Sequence, residues 1–229
     1  MNSARYRFIL QRLATILSVS ILALSVTAGV TGILIAFFYE PTAGGAYESL
    51  RRISEEIPSG GLIRDVHNIA GNWVIGIALI QMVVMFLGRQ FRTSWLIAWI
   101  SGIVLILNAI ALGWTAMLLS WTQEGYWRLK IELGTIEELP VIGNQLRDIL
   151  TGGGGVGTTS VEHFYTLHSY ILSVGAIALA IIHLGGLVLQ ETAAKRLQSN
   201  LAAILAASES LDQQNATSTD RNFTGSKTH

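Results

Sequence analysis

Four stretches of the chain, residues 13–39, 68–88, 93–123 and 169–190, contain no Asp, Glu, Lys or Arg. A helix crosses a hydrocarbon core of about 30 Å with about 20 apolar residues, and each stretch reaches that length. Helices of a water-soluble bundle need a polar face, which these lack. The pattern predicts an all-α membrane protein, a four-helix transmembrane bundle over residues 13–190.

The connections carry different signals. Residues 40–61, between the first and second spans, hold Pro41, Gly44, Gly45 and the turn sequence Pro58-Ser59-Gly60-Gly61. Residues 124–162, between the third and fourth, predict a short amphipathic helix over 142–150 and then a flexible glycine run at 152–155. No Lys-Ser/Thr follows that run, so it is not a phosphate loop. After the fourth span, Leu197, Leu201, Ile204 and Leu205 keep helical spacing, which predicts an amphipathic extension over 191–211 along the membrane surface. Residues 212–229 are rich in Ser, Thr, Asn and Gln, the composition of a disordered tail. Residues 1–12 form an N-terminal arm, and no internal repeat is evident.

Composition agrees with membrane insertion: 51% of residues are hydrophobic, only 13% are charged, and the mean hydropathy is +0.48. The balance of 15 acidic against 15 basic residues argues against a nucleic-acid partner. No cysteine is present, which excludes disulfides, thiolate metal sites, iron–sulfur ligation and thioether-attached haem. Basic flanks set orientation. Arg5, Arg7 and Arg12 precede the first span, Arg89 and Arg92 lie between the second and third, and Lys195 and Arg196 follow the fourth. With four spans all of these fall on one side, so both termini are expected at the cytoplasmic or stromal face of a bacterial plasma membrane or thylakoid. The first apolar run is too long for a leader core and is expected to be retained.

Chemistry enters with the histidines. Of five, His229 lies in the tail and His163 just before the fourth span. His67 heads the second span, His168 heads the fourth, and His183 sits deep inside it. An ionisable group within a span is rare and marks function by default. Neutral imidazole is the commonest metal ligand, and haem iron takes axial histidine. His168 and His183 are fifteen residues apart, a rise of about 22 Å, and differ by only about 60° around a regular helix. They face broadly one way at two depths, as one helix serving two stacked haems would require.

These residues sit in motifs that resemble the N-terminal, haem-binding half of cytochrome b, and most closely the short cytochrome b6. The resemblance covers roughly residues 13–189. It rests on Phe38-Tyr39-Glu40-Pro41-Thr42, Leu62-Ile63-Arg64-Asp65-Val66-His67 and Trp121-Thr122-Gln123-Glu124-Gly125-Tyr126-Trp127. Pro140-Val141-Ile142-Gly143 and Phe164-Tyr165-Thr166-Leu167-His168 continue it. The resemblance implies haem b between the second and fourth spans. It implies that His67 and His168 are the iron ligands on the outer side and that His183 is a ligand on the inner side. It further implies that Arg64 lies near the outer propionates, and that Gly32 and Gly102 let haem edges approach the backbone. Ser18 and Ala116 stand at the other two glycine positions.

Four departures from the family pattern concern the inner side. Gln81 stands where the second ligand of the second span belongs, fourteen residues after His67. Val84 and Asn68 replace expected arginines, and Ile16 replaces the cysteine that tethers an extra haem. Met82 and Met85 lie nearby. An inner haem held by His183 alone is expected to be five-coordinate. The resemblance implies an electron-transfer subunit of a quinol-linked membrane oxidoreductase, in contact with lipid and quinol or quinone. A Rieske protein and a C-terminal cytochrome b half are the implied partners. An alternative is a divergent single-haem paralogue with an assembly, regulatory or structural role. No catalytic residue is assigned within the chain.

Overall fold

The computed structural model describes residues 3–88 and 96–225. Among the described residues four helices are long and apolar enough to cross a membrane: Phe8–Ala36, Gly60–Leu87, Leu96–Leu119 and Thr158–Leu211. In chain order the elements are α1 (Ser3–Ala36), α2 (Ala46–Glu55), α3 (Gly60–Leu87), α4 (Leu96–Leu119), α5 (Gln123–Glu137), α6 (Gly143–Thr151) and α7 (Thr158–Thr166). A π-helical segment, Leu167–Leu172, then joins α7 to α8 (Ser173–Gly225). Arg89 and Arg92, two of the basic residues that set the expected orientation, lie outside the described residues, as does His229.

The four spans turn small and branched apolar residues inward in three layers. Leu10, Ala14, Val84, Met85, Ala98 and Leu187 form the layer nearest the N-terminus. Ile21, Val74, Ala78, Leu105, Ala109 and Ala180 form the middle one. Ala46, Leu118, Leu119, Leu129, Leu133, Val161 and Phe164 close the far end, where α2, α5 and α7 gather. Large apolar side chains such as Ile33, Leu107 and Val174 point outward and are exposed. A belt of that kind needs lipid around it. The protein is a multi-pass integral membrane protein.

The connections are more helical than their turn residues indicate. α2 buries Ala46, Ser49 and Ile53 on one face, while Arg51 pairs with Glu48 and Glu55 on the other. α5 begins where the Thr122 hydroxyl accepts from the Gly125 N–H at 3.2 Å, an N-cap. α6 matches the short helix expected over 142–150 and ends at Gly152 and Gly153, both left-handed, whose N–H groups reach the Asp148 carbonyl. A side chain is disfavoured there, so two of these glycines form a helix terminus. At the far end of the bundle, Tyr39 stacks on Tyr165 at 5.6 Å and donates to the Leu119 carbonyl at 2.9 Å. Burial and the neighbouring Tyr165 hydroxyl hold the Tyr39 phenol protonated well above its ordinary range.

Residues from Val188 onward form a second unit. There α8 continues to Gly225.

Candidate haem-binding site

The three span histidines take up the bundle interior. His67 lies in the second turn of α3, His168 in the π-helical segment and His183 within α8. The His67 and His168 rings face each other with centroids 6.3 Å apart and planes tilted by 58°. Two metal–imidazole bonds of about 2 Å each, with roughly 1 Å from each donor nitrogen to its ring centre, span about 6 Å. The pair is therefore spaced to hold one iron between them. His183 belongs to the other layer and is only 1% exposed.

The tautomer of each imidazole follows from its neighbours. His67 Nδ1 lies 2.9 Å from the Ala28 carbonyl and 3.2 Å from the Thr31 hydroxyl. His183 Nδ1 lies 2.9 Å from the Ala98 carbonyl and 3.2 Å from the Ser101 hydroxyl. His168 Nδ1 lies 2.8 Å from the Thr115 hydroxyl, with the Leu112 carbonyl as a further acceptor. All three hydroxyls already direct their hydrogen to the carbonyl four residues back: Thr27, Ile97 and Ala111. Toward the imidazoles they can only accept, as carbonyls do. Each Nδ1 must carry the hydrogen, which leaves the Nε2 lone pair for a metal. His183 Nε2 is buried with no hydrogen-bond partner, an atom shaped to ligate.

A rule recurs along α1 and α4. A carbonyl at one position receives Nδ1, a hydroxyl three residues on receives it too, and a small residue stands four residues on. The sets are Ala28, Thr31 and Gly32 for His67, then Ala98, Ser101 and Gly102 for His183, and Leu112, Thr115 and Ala116 for His168. The carbonyl positions on α4 are fourteen residues apart. On α1 the position fourteen before Ala28 is Ala14, whose carbonyl accepts from Gln81 Nε2 at 2.9 Å. Gln81 is buried and takes the fourth place in the scheme. The family's glycines thus have a geometric role here. A Cβ at Gly32 would lie 3.1 Å from His67 Cε1, and one at Gly102 only 2.9 Å from His183 Cε1.

α3 separates its two positions by fourteen residues, whereas His168 and His183 are fifteen apart. The π-helical segment from Leu167 to Leu172 resolves the difference, because a π turn accommodates an extra residue. The Arg64 guanidinium, one turn before His67, donates to the Ser54 hydroxyl at 2.9 Å and is held to α2. Met85 is fully buried among the apolar residues of the inner layer, and Val84 is buried beside it. Met82 Cε approaches the position a Gly102 Cβ would take, at 3.4 Å. At the end of the bundle where α2, α5 and α7 gather, Trp114 Nε1 donates to Glu132 at 2.6 Å, tying α5 to the residue beside Thr115. Sequence reasoning did not single out Thr31, Ser101, Thr115 or Glu132. The three hydroxyls did carry a signal, since each stands one residue before a small residue that the resemblance marks.

A membrane-spanning bundle with histidines at two depths, each fixed with Nε2 free, defines a protein that holds a metal cofactor such as haem between helices. The comparisons with known proteins narrow that class. The family described as cytochrome b/b6/petB matches residues 9–193, and the chain belongs to that family. Cytochrome b6 of Synechococcus elongatus is 31% identical over 153 residues, which is 67% of this chain and 71% of that protein. Cytochrome b6 of Mastigocladus laminosus is 33% identical over 142 residues, 62% of this chain and 66% of that one. Among solved structures, a chain described as hyperthermophilic respiratory Complex III matches with a TM-score of 0.65 at 22% identity. That match covers 77% of this chain and 47% of the other, so the chain spans about half its length and shares its fold. Membership makes b-type haem the cofactor.

Proposed function

We propose that the chain is an electron-transfer subunit of a quinol-linked membrane oxidoreductase, with an outer haem between His67 and His168 and an inner haem at His183. The facing His67 and His168 rings, 6.3 Å apart with each Nδ1 committed as a donor, carry this reading. When bound, haem b supplies a one-electron ferric–ferrous couple. The chain's own residues bind, orient and insulate. Thr31, Thr115 and Ser101 fix the imidazoles, Gly32 and Gly102 leave clearance, and the middle apolar layer separates the two depths. Arg64, anchored by Ser54, supplies a fixed cation for propionate carboxylates at the outer mouth.

In this reading the relatives' names support quinol or quinone as the redox partner within the membrane. A Rieske protein and a C-terminal cytochrome b half are the companion subunits. Both termini lie on the cytoplasmic or stromal side. The test is the number of haems per purified chain, together with their reduction by a quinol in the assembled complex. Two haems, at least one reduced by quinol, agree with the proposal. A second reading, a single-haem paralogue in assembly, regulation or structure, is favoured by one observation, the amide of Gln81 in a ligand position. One haem that quinol does not reduce would establish that reading instead.

A further inference from the structure

Three of the four interior positions follow one rule; the fourth keeps its carbonyl contact and departs in the side chain and in the two residues that follow the carbonyl. At Gln81 the imidazole is an amide. Three residues after the Ala14 carbonyl, where the other sets have a hydroxyl, stands Leu17. Four residues after it, where the others have Gly or Ala, stands Ser18. Ser18 is 1% exposed, and its hydroxyl has no hydrogen-bond partner. Most other hydroxyls in the spans bond the carbonyl four residues back, as Ser20, Thr27, Thr31, Ser101 and Thr115 do, while Ser25, also buried on α1, has no partner either. For Ser18 that carbonyl is Ala14, which receives the Gln81 amide.

The Gln81 and Ser18 changes fit each other. Beside His67 even a Cβ at position 32 is tight at 3.1 Å, so a serine beside an imidazole would crowd it. Ser18 is buried at the position that Gly32 and Gly102 take beside imidazoles. The Ala14 carbonyl accepts only, so the Gln81 nitrogen must face it. One amide hydrogen is then used, and a second hydrogen and the carbonyl oxygen remain. A nitrogen held in this way is no iron ligand, and an amide oxygen is a hard donor that competes poorly with imidazole. Across the inner layer, His183 Nε2 is buried and unpartnered.

We propose that the Gln81 side of the inner site is a binding face for a small ligand of haem iron. It takes a diatomic or small anion whose outer atom accepts hydrogen bonds from the Gln81 amide and the Ser18 hydroxyl. The inference rests on the reading that His183 holds an inner haem, and it adds a ligand class and two positioning residues to it.

The experiment uses the full chain purified with its haems and compares wild type with Gln81→His, Gln81→Leu and Ser18→Ala. Haem count, electron paramagnetic resonance of the oxidised protein, carbon monoxide binding to the reduced protein and cyanide affinity of the oxidised protein are measured. Expected in wild type is one low-spin and one high-spin haem, with carbon monoxide taken up by one haem of the two. Gln81→His should convert the high-spin signal to low-spin and abolish carbon monoxide uptake. Gln81→Leu should keep that uptake and weaken cyanide roughly ten-fold, the scale of one charge-assisted hydrogen bond, with a smaller loss in Ser18→Ala. Two low-spin haems and no carbon monoxide binding would overturn the inference while leaving the electron-transfer reading intact. So would tighter cyanide binding in Gln81→Leu, since Gln81 would then be a competing ligand. A single low-spin haem, untouched by Gln81→His and by His183→Ala, would overturn both the inference and the inner-haem part of the reading.

Discussion

Gln81 donates to the Ala14 carbonyl at 2.9 Å, the separation at which His67 meets the Ala28 carbonyl fourteen residues later on α1. The two side chains differ in chemistry and agree in attachment. The hydrogen-bond frame is therefore set by the spacing of carbonyls on α1. It persists where the side chain that uses it has changed.

The outer pair is the firmest place to test the assignment. His168→Ala removes one of two facing imidazoles and should abolish the low-spin haem b signal of the oxidised protein. No cysteine tethers the cofactor, so acid acetone should extract all haem from the parent. Survival of an unchanged low-spin signal in His168→Ala would mean that His67 pairs with another residue.

The hydroxyl acceptors should differ in weight. For His168 the Thr115 hydroxyl lies at 2.8 Å beside the Leu112 carbonyl, whereas for His67 the Ala28 carbonyl at 2.9 Å is nearer than Thr31 at 3.2 Å. Thr115→Val should weaken haem binding by roughly 10–100-fold, the usual effect of losing a partner behind a ligand. Thr31→Val should weaken it less, and Thr115→Ser should restore it. Haem titration of the apoprotein in detergent reads all three. Equal losses at the two positions would contradict the ranking.

Clearance at the two glycines is graded in the same way. A Cβ at Gly102 would sit 2.9 Å from His183 Cε1 and one at Gly32 would sit 3.1 Å from His67 Cε1, while a Cβ at Gly71 would meet nothing within 4 Å. Gly102→Ala should destabilise most, Gly32→Ala less, and Gly71→Ala not at all. Overpacking of this kind costs about 1–3 kcal/mol. Thermal unfolding with haem bound gives the order, and a cost at Gly71 equal to that at Gly102 would refute the steric account.

Glu132 accepts from Trp114 at 2.6 Å and pairs with Arg128 at 2.8 Å. Glu132→Ala leaves a half-buried indole N–H without its acceptor and should cost about 1–3 kcal/mol. Glu132→Gln keeps an acceptor and should cost less. Denaturation in detergent, followed by tryptophan fluorescence, measures both. No loss in Glu132→Ala would show the contact to be incidental.

Sidedness is open to a direct assay. The basic residues before the first span and after the fourth predict that tags at both termini are cleaved from the same, inner side of oriented vesicles. Cleavage of the two tags from opposite sides would mean that a span has been miscounted.

The spans were legible because a charge-free run of the right length has few other readings. Histidines within them were legible because burying imidazole is costly. α2 and α5 went unread, though each left a trace. Ala46, Ser49 and Ile53 repeat at helical spacing, and Thr122 is followed by Glu124 in a first turn. Their proline and glycine neighbours, together with the motif around Trp121, drew attention away from those traces. The π-helical segment could not be read from Leu167-His168-Ser169-Tyr170-Ile171-Leu172, which holds nothing foreign to an α-helix. It shows only in the mismatch of fourteen against fifteen. Ser18 was legible as a departure, but the burial of its hydroxyl without a partner shows only in the fold.

That mismatch makes the two histidine-bearing helices behave like the scales of a vernier. Marks fourteen residues apart on α3 meet marks fifteen apart, from His168 to His183, because the π-helical turn that leads into α8 is graduated more coarsely. Two such scales coincide at a single setting. Sliding either helix by one residue would misalign both depths together, so the two helices fix their register on each other. An insertion or deletion between His67 and Gln81 is therefore compensated only by a matching change between His168 and His183. The intervals Ala14 to Ala28 and Ala98 to Leu112, whose carbonyls hold the same side chains, are fixed in the same way.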